Sequence, residues 1–139
     1  MEPIPPSDIV TPAVRIFSTR AFARWAKRIG LSDAALRRAA MEMTRGLVDA
    51  NLGGSVFKKR VAVGGRGKRG GCRAIVAGGS SRWFYLVGFA KNQRSDIAEN
   101  ELRALRLLAK ELIALDESRI DIAVNAGELN RICDGKESW

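Results

Sequence analysis

The chain has 139 residues, a formal net charge of +9 and no histidine. A single domain of this length buries roughly two-thirds of its unfolded surface without help from metals or disulfides. The lack of histidine excludes the commonest zinc ligand and every Ser/His or Cys/His nucleophile pair, so any catalysis has to come from Lys, Arg, Tyr or carboxylates. The two cysteines, Cys72 and Cys133, match neither a metal-ligand spacing nor a disulfide framework. We therefore expect a reducing compartment and no metal or cofactor.

The start of the chain, MEPIPPSDIV, lacks the basic and apolar regions of a signal peptide. No later stretch approaches the ~18 apolar residues of a membrane span. These features predict a cytoplasmic protein without a membrane partner. All four prolines lie in residues 1–12, which we expect to be a disordered leader.

Apolar spacing predicts a strand and two helices before residue 51. Residues 14–17 are a short apolar run, and Ser18 or Thr19 can cap a helix that Gly30 ends. Ser32 begins a second helix, and residues 51–54 (NLGG) break it. Its apolar stripe consists of Leu36, Ala40, Met43 and Leu47. We expect the two helices to form an antiparallel hairpin.

The second half of the chain predicts strands followed by a helix. Three strands are expected at residues 56–63, 73–77 and 83–90, and the short GGSS link at 78–81 predicts a hairpin between the last two. A third helix is expected at 97–115. Beyond Asp116 the chain is acidic, with a further helical turn at 120–124 and an edge strand at 128–132. The order of elements predicts an α+β fold with a helical hairpin on a small antiparallel sheet and a C-terminal helix.

The positive charge is concentrated in the middle of the chain. Residues 50–95 contain ten bases and no acid, whereas the flanking segments carry net charges of +3 and −4. The aromatic residues Trp83, Phe84, Tyr85 and Phe89 lie in the second half of this stretch. Cations among aromatic rings are typical of a surface that binds nucleic acid, with Tyr85 and Phe89 as candidates for stacking on bases. For the rings alone, burial in the sheet is the favoured alternative, because an alternating strand must bury one face.

Strand alternation predicts a cluster of cations. Lys58 and Arg60 share a face of the first of the three strands, Arg73 begins the next, and Lys91 follows the last. If the strands form an antiparallel meander, these four side chains converge on one concave surface. Such a surface suits RNA cleavage, because the 2′-hydroxyl is an internal nucleophile and guanidinium groups stabilise the dianionic transition state without a metal. A lysine crowded by cations has a lowered pKa and becomes a plausible general base.

The glycine-rich segment GGRGKRGG at 64–71 carries Arg66, Lys68 and Arg69. It matches neither the Walker pattern nor GxGxxG followed by a helix, which argues against a nucleotide-phosphate site. It is either a basic loop that embraces a nucleic-acid backbone or a mobile connector.

Three motifs in order resemble one family: GKRGGCR at 67–73, GFAKNQ at 88–93 and ELRALRLLAKELIAL at 101–115. Together they resemble the HigB-type branch of the RelE/ParE toxin superfamily, over roughly residues 14–116. The resemblance implies a RelE-like toxin domain at 13–116, between the leader at 1–12 and an acidic C-terminal extension at 117–139. It also implies ribosome-dependent cleavage of mRNA, and a helix-turn-helix antitoxin of the HigA kind that forms a hetero-oligomer with the toxin.

The resemblance also suggests roles for the candidate residues. Arg60 and Arg73 would contact the phosphate and its transition state, and Lys91 or Lys68 would transfer a proton or contact the backbone. The RNA-binding candidates are Lys58, Arg66, Arg69, Tyr85, Phe89 and Asn92. Two other functions stay open: a ParE-like inhibitor of DNA gyrase, and an RNA-binding module without catalytic activity.

Overall fold

The computed structural model describes residues 14–64, 71–79, 81–90 and 96–134, without the side chains of residues 133 and 134; the predicted leader lies outside these ranges. The strands are β1 (Arg15–Thr19), β2 (Ala50–Gly53), β3 (Val56–Val61), β4 (Cys72–Gly79), β5 (Arg82–Ala90) and β6 (Leu129–Asp134). The helices are α1 (Arg20–Ile29), α2 (Asp33–Thr44), α3 (Glu99–Ile113) and α4 (Glu117–Asn125). The strands form one sheet in the order β2-β3-β4-β5-β1-β6.

The predicted α+β class is confirmed, but the sheet is mixed and not purely antiparallel. β1 lies between β5 and β6, parallel to β5 and antiparallel to β6. The remaining neighbours are antiparallel. The difference arises because the chain leaves β1 through two helices and resumes at the far edge with β2. The meander β2–β5 then returns alongside β1 in the same direction.

Both faces of the sheet are covered by apolar side chains. On one face α1 and α2 pack on a cluster that includes Ile16, Phe22, Leu36, Met43, Val61, Val76, Trp83 and Tyr85. On the other face α3 and α4 pack on a cluster that includes Phe17, Val56, Ile75, Phe84, Leu86, Leu102, Leu105 and Ile120. Burial on both faces stabilises the central strands and fixes which side chains each strand presents to either side.

Of the four predicted ends of α1 and α2, three are confirmed. The Thr19 hydroxyl accepts a hydrogen bond from the Phe22 amide at 3.1 Å, and Gly30 ends α1 at φ 76°. The Ser32 hydroxyl caps α2 by accepting from the Ala35 amide at 3.1 Å. The predicted extension of α2 to Leu47 is wrong, because the helix ends at Thr44 and Leu47 is 57% exposed.

Two features of the strands were not foreseen. Residues 51–54, predicted as a helix break, overlap the edge strand β2. In β5 a bulge shifts the register, so that Val76 pairs with Tyr85 whereas Ile75 pairs with Val87. Because the bulge adds Leu86, Tyr85 faces α1 and α2 while Val87 and Phe89 face α3. Regular alternation along the strand would place Tyr85, Val87 and Phe89 on one side, and the bulge turns Tyr85 to the other.

The acidic end of the chain contributes to the sheet. The Asp116 carboxylate caps α4 by accepting from the Arg119 amide at 2.9 Å, and β6 pairs with β1 at the sheet edge. The predicted helical turn and edge strand after residue 116 are thus confirmed. The predicted boundary between a toxin domain at 13–116 and a C-terminal extension at 117–139 stays a prediction.

One lysine of the basic stretch is structural. Lys59 is 3% exposed on the α2 side of β3. Its ammonium group forms an ion pair with Glu42 at 2.8 Å and donates a hydrogen bond to the Leu47 carbonyl at 2.8 Å. A charge buried this deeply needs such partners, so the contact ties the end of α2 to the sheet.

Removing the partner of this lysine should destabilise the fold. We expect Glu42→Ala to lower the free energy of unfolding by about 3 kcal/mol, because it leaves a buried ammonium without its counterion. Asp121→Ala is the control, since Asp121 pairs with Arg131 at the exposed surface and should cost under about 1 kcal/mol. Urea unfolding followed by circular dichroism measures both. Equal losses in the two variants would contradict a structural role for the buried pair.

Candidate nucleic-acid interface

Two arginines lie opposite each other on neighbouring strands. Arg60 of β3 pairs in register with Arg73 of β4. Directly opposed residues on antiparallel strands point to the same face, with their Cβ atoms roughly 5 Å apart. Lys58, two residues before Arg60, shares that face. We call Lys58, Arg60 and Arg73 the cation face; it lies on the side of the sheet that α3 covers.

The other predicted cations lie outside the described residues. These are Arg66, Lys68 and Arg69 of the glycine-rich segment, with Lys91 and Asn92 after β5. The strand ends that border these segments are neighbours, since Cys72 pairs with both Val61 and Ala90. The structure thus brings together Lys58, Arg60 and Arg73, the three described members of the four cations predicted to converge.

Two carboxylates that sequence reasoning missed contact the cation face. Asp96 forms an ion pair with Lys58 at 3.5 Å, and an Asp49 oxygen lies 3.7 Å from the Arg60 Nε. Asp49 and Asp96 are the acids that border the acid-free stretch 50–95. That position in the sequence was a signal, because each acid lies directly outside the stretch that carries the cations.

The two arginines differ in how they are partnered. The Arg60 Nε is buried and has no hydrogen-bond partner. Arg73 is half-buried, and within the described part of the chain its guanidinium has no hydrogen bond or ion pair. Guanidinium groups with unused donors are suited to bind an oxyanion such as a phosphate, which accepts two parallel hydrogen bonds.

The aromatic residues proposed to stack on bases are core residues. Tyr85 is fully buried against the Phe22 ring, 5.0 Å between centroids, and its hydroxyl donates to the Leu36 carbonyl at 2.6 Å. Phe89 lies opposite Arg73 but is only 3% exposed. Their predicted stacking on RNA is therefore corrected: neither ring face is accessible, and burial in the sheet was the right alternative.

Neither the phenol of Tyr85 nor the thiol of Cys72 is suited to proton transfer at the cation face, because both lie in the core on the opposite side of the sheet. Burial raises the pKa of Tyr85 well above its ordinary value. Burial likewise raises the pKa of Cys72 to about 11, although the neighbouring Arg73 opposes the shift. Both groups therefore stay protonated near neutral pH and act as packing residues.

The described residues contain neither a candidate metal site nor a candidate membrane-spanning helix. Within the described residues, no three His, Cys, Asp or Glu side chains are grouped so that they could hold a metal ion. None of the helices in that same part of the chain has the length and apolar character needed to cross a bilayer.

The fold and the cation face can now be compared with known proteins. One family model, described as the RelE toxin of the RelE/RelB toxin–antitoxin system, matches residues 14–132. The chain belongs to the RelE toxin family. The match extends beyond the 14–116 range of the sequence resemblance and includes α4 and most of β6. Membership of the RelE family implies a toxin with an antitoxin partner. A search of curated proteins found no match.

The corrected role of Tyr85 in this RelE-family protein can be tested. Tyr85→Phe should lower the free energy of unfolding by about 1–2 kcal/mol, because the buried hydrogen bond to Leu36 is lost. Affinity for a labelled single-stranded RNA should be unchanged, since the ring lies within the core. Urea unfolding and fluorescence anisotropy provide the two values. A large loss of RNA affinity without a change in stability would restore the stacking role.

Proposed function

We propose that this RelE-family protein is a HigB-type toxin that cuts mRNA on the ribosome by a metal-independent reaction. The observation that carries the proposal is the in-register pair Arg60 and Arg73, with Lys58 on the same face. Like charges placed directly opposite each other weaken a sheet, so an arginine pair at this position needs a reason other than stability. Binding of an anionic ligand is such a reason, because a negative charge between the two arginines attracts both of them.

The chemistry requires few groups beyond cations. The 2′-hydroxyl loses its proton to a base and attacks the neighbouring phosphorus. The bond from phosphorus to the 5′-oxygen then breaks, and that oxygen takes up a proton. The products are a 2′,3′-cyclic phosphate and a 5′-hydroxyl end. Negative charge accumulates on the non-bridging oxygens in the transition state, where fixed guanidinium groups are most effective.

The proposed roles follow from this reaction. Arg60 and Arg73 bind the non-bridging oxygens, and Lys58 binds an adjacent phosphate. Lys91 or Lys68 transfers the proton, while Arg66, Arg69 and Asn92 contact the RNA backbone. The basic stretch also attracts the polyanionic ribosome and mRNA over a distance that falls as salt is added. We propose further that the protein acts in the cytoplasm and that a HigA-like helix-turn-helix antitoxin neutralises it as a hetero-oligomer.

The proposal is tested by expressing the protein and a matched pair of variants in a bacterial host. The unchanged protein should arrest growth and translation and leave transcripts cut to 5′-hydroxyl and cyclic-phosphate ends. Arg73→Ala should lower the cleavage rate by at least about tenfold, because one charge-assisted contact to the transition state is worth about 1.5–3 kcal/mol. Arg28→Ala is the control, since it removes the same charge from the exposed surface of α1.

Purified ribosomes programmed with mRNA, kept intact at constant Mg²⁺, give the decisive assay. Cleavage that leaves 2′,3′-cyclic phosphate and 5′-hydroxyl ends and is lost in Arg73→Ala supports the proposal. Equal activity of the two arginine variants contradicts the role of the cation face. DNA damage that precedes any loss of protein synthesis points instead to a ParE-like gyrase inhibitor. Salt-sensitive RNA binding without cleavage points to a silent binding module.

A further inference from the structure

The cation face is contacted by two carboxylates in different physical settings. Asp49 and Asp96 carry the same charge and lie just outside the acid-free stretch 50–95. Each is within 4 Å of one cation of the face, Arg60 and Lys58 respectively. By charge alone, both acids would weaken RNA binding, because each would compete with phosphate for a cation. Their surroundings argue for two different effects.

Asp49 is held in place beside Arg60. Its main-chain N–H donates a hydrogen bond to the Lys58 carbonyl at 2.9 Å, which fixes it at the edge of β3. Its side chain is 23% exposed and lies next to the Nε, the buried atom of the Arg60 guanidinium. The shortest contact, 3.7 Å to Nε, is an ion pair without a hydrogen bond, and it leaves the two terminal nitrogens of the guanidinium for another ligand. Asp49 therefore attracts Arg60 from its Nε side.

Asp96 is held at the surface in front of Lys58. Its side chain is 63% exposed, whereas that of Lys58 is 20% exposed. The Asp96 carboxylate also accepts a hydrogen bond from the Ile97 amide at 2.9 Å. This amide and the Lys58 ammonium lower the pKa of Asp96, so the carboxylate is charged at neutral pH. A phosphate that binds Lys58 has to compete with this carboxylate for the ammonium group.

We infer that the two acids have opposite effects: Asp49 is a positioning residue that orients Arg60 for phosphate, and Asp96 is a counterion that RNA must displace from Lys58. The inference rests on the proposed function, because it takes RNA to be the ligand of the cation face. The protein thus supplies one carboxylate that competes with RNA phosphate for Lys58, and another that positions Arg60 to bind the neighbouring phosphate.

The test compares isosteric variants that remove one negative charge each. Binding of the full chain to a fluorescein-labelled, 2′-O-methylated RNA 12-mer is measured by anisotropy at low and moderate KCl. Asp96→Asn should bind about two- to fivefold more tightly at low salt, the scale of an exposed ion pair, with a smaller gain at higher salt. Asp49→Asn should bind several-fold more weakly. Glu99→Gln is the control, since Glu99 is exposed near the start of α3 and pairs with Arg106 instead.

The outcomes separate this inference from the proposed function. Tighter binding by both aspartate variants means that charge alone decides, which overturns the inference and leaves the proposed function intact. A gain in Glu99→Gln equal to that in Asp96→Asn overturns the role of Asp96 in the same way. No RNA binding by the unchanged protein, alone or on ribosomes, overturns both proposals.

A double-variant cycle protects the result against misfolding. If Asp49 acts through Arg60, then Asp49→Asn weakens RNA binding in the unchanged background but has no further effect once Arg60→Ala is present. A loss of the same size in both backgrounds shows that Asp49 supports the fold in general and overturns its positioning role. Thermal unfolding of each variant, measured alongside, reports how much folded protein each assay contains.

Discussion

The in-register pairing of β3 with β4 is the constraint on which the rest of the structure depends. It places Arg60 directly opposite Arg73, two positive charges on adjacent strands. Such a pair opposes strand pairing, and Lys58 on the same face adds to the repulsion. The apolar clusters on both sides of the sheet compensate for it. The register is fixed because a slip of one residue would move Val56 and Ile75 out of the core beneath α3.

The two faces of β3 place basic side chains in two different settings, one structural and one that we propose for binding. On the α2 side, Lys59 is buried and neutralised by Glu42, with Val61 in the core beside it. On the α3 side, Lys58 and Arg60 stay partly accessible, and each is close to one carboxylate. Three consecutive basic residues thus lie in two different environments, and strand alternation alone decides which. We therefore expect substitution of Lys59 to lower stability, and substitution of Lys58 or Arg60 to lower the RNA binding that we propose for them.

Much of this organisation could be predicted from local sequence. The caps at Thr19 and Ser32, the strand sequence and the alternation of Lys58 and Arg60 all depend on neighbours within a few residues. The features that were missed depend on contacts between distant segments. The bulge that turns Tyr85 away from Phe89 is visible only against β4, and the parallel position of β1 only in the complete sheet.

The candidate site, like the fold, was predicted only in part from the sequence. Its cations were found because an acid-free stretch is a property of composition. Its carboxylates were missed because Asp49 and Asp96 lie outside that stretch and reach it only through tertiary contacts. The aromatic residues were overinterpreted for the opposite reason: Tyr85 and Phe89 lie within the basic segment, but the sheet buries them. The position of the basic stretch in the sequence located the cations correctly, but it did not show that the aromatic residues within the stretch are buried.

The central claim is that Arg60 and Arg73 act as one unit on a single phosphate, and single-turnover cleavage on programmed ribosomes tests it most directly. The rates of Arg60→Ala, Arg73→Ala and the double variant form a thermodynamic cycle. Residues that share one ligand should show a coupling energy of at least about 1 kcal/mol, so the double variant should be less impaired than the product of the single losses predicts. Strictly multiplicative losses would contradict the account, because they would mean that the two arginines act at separate places.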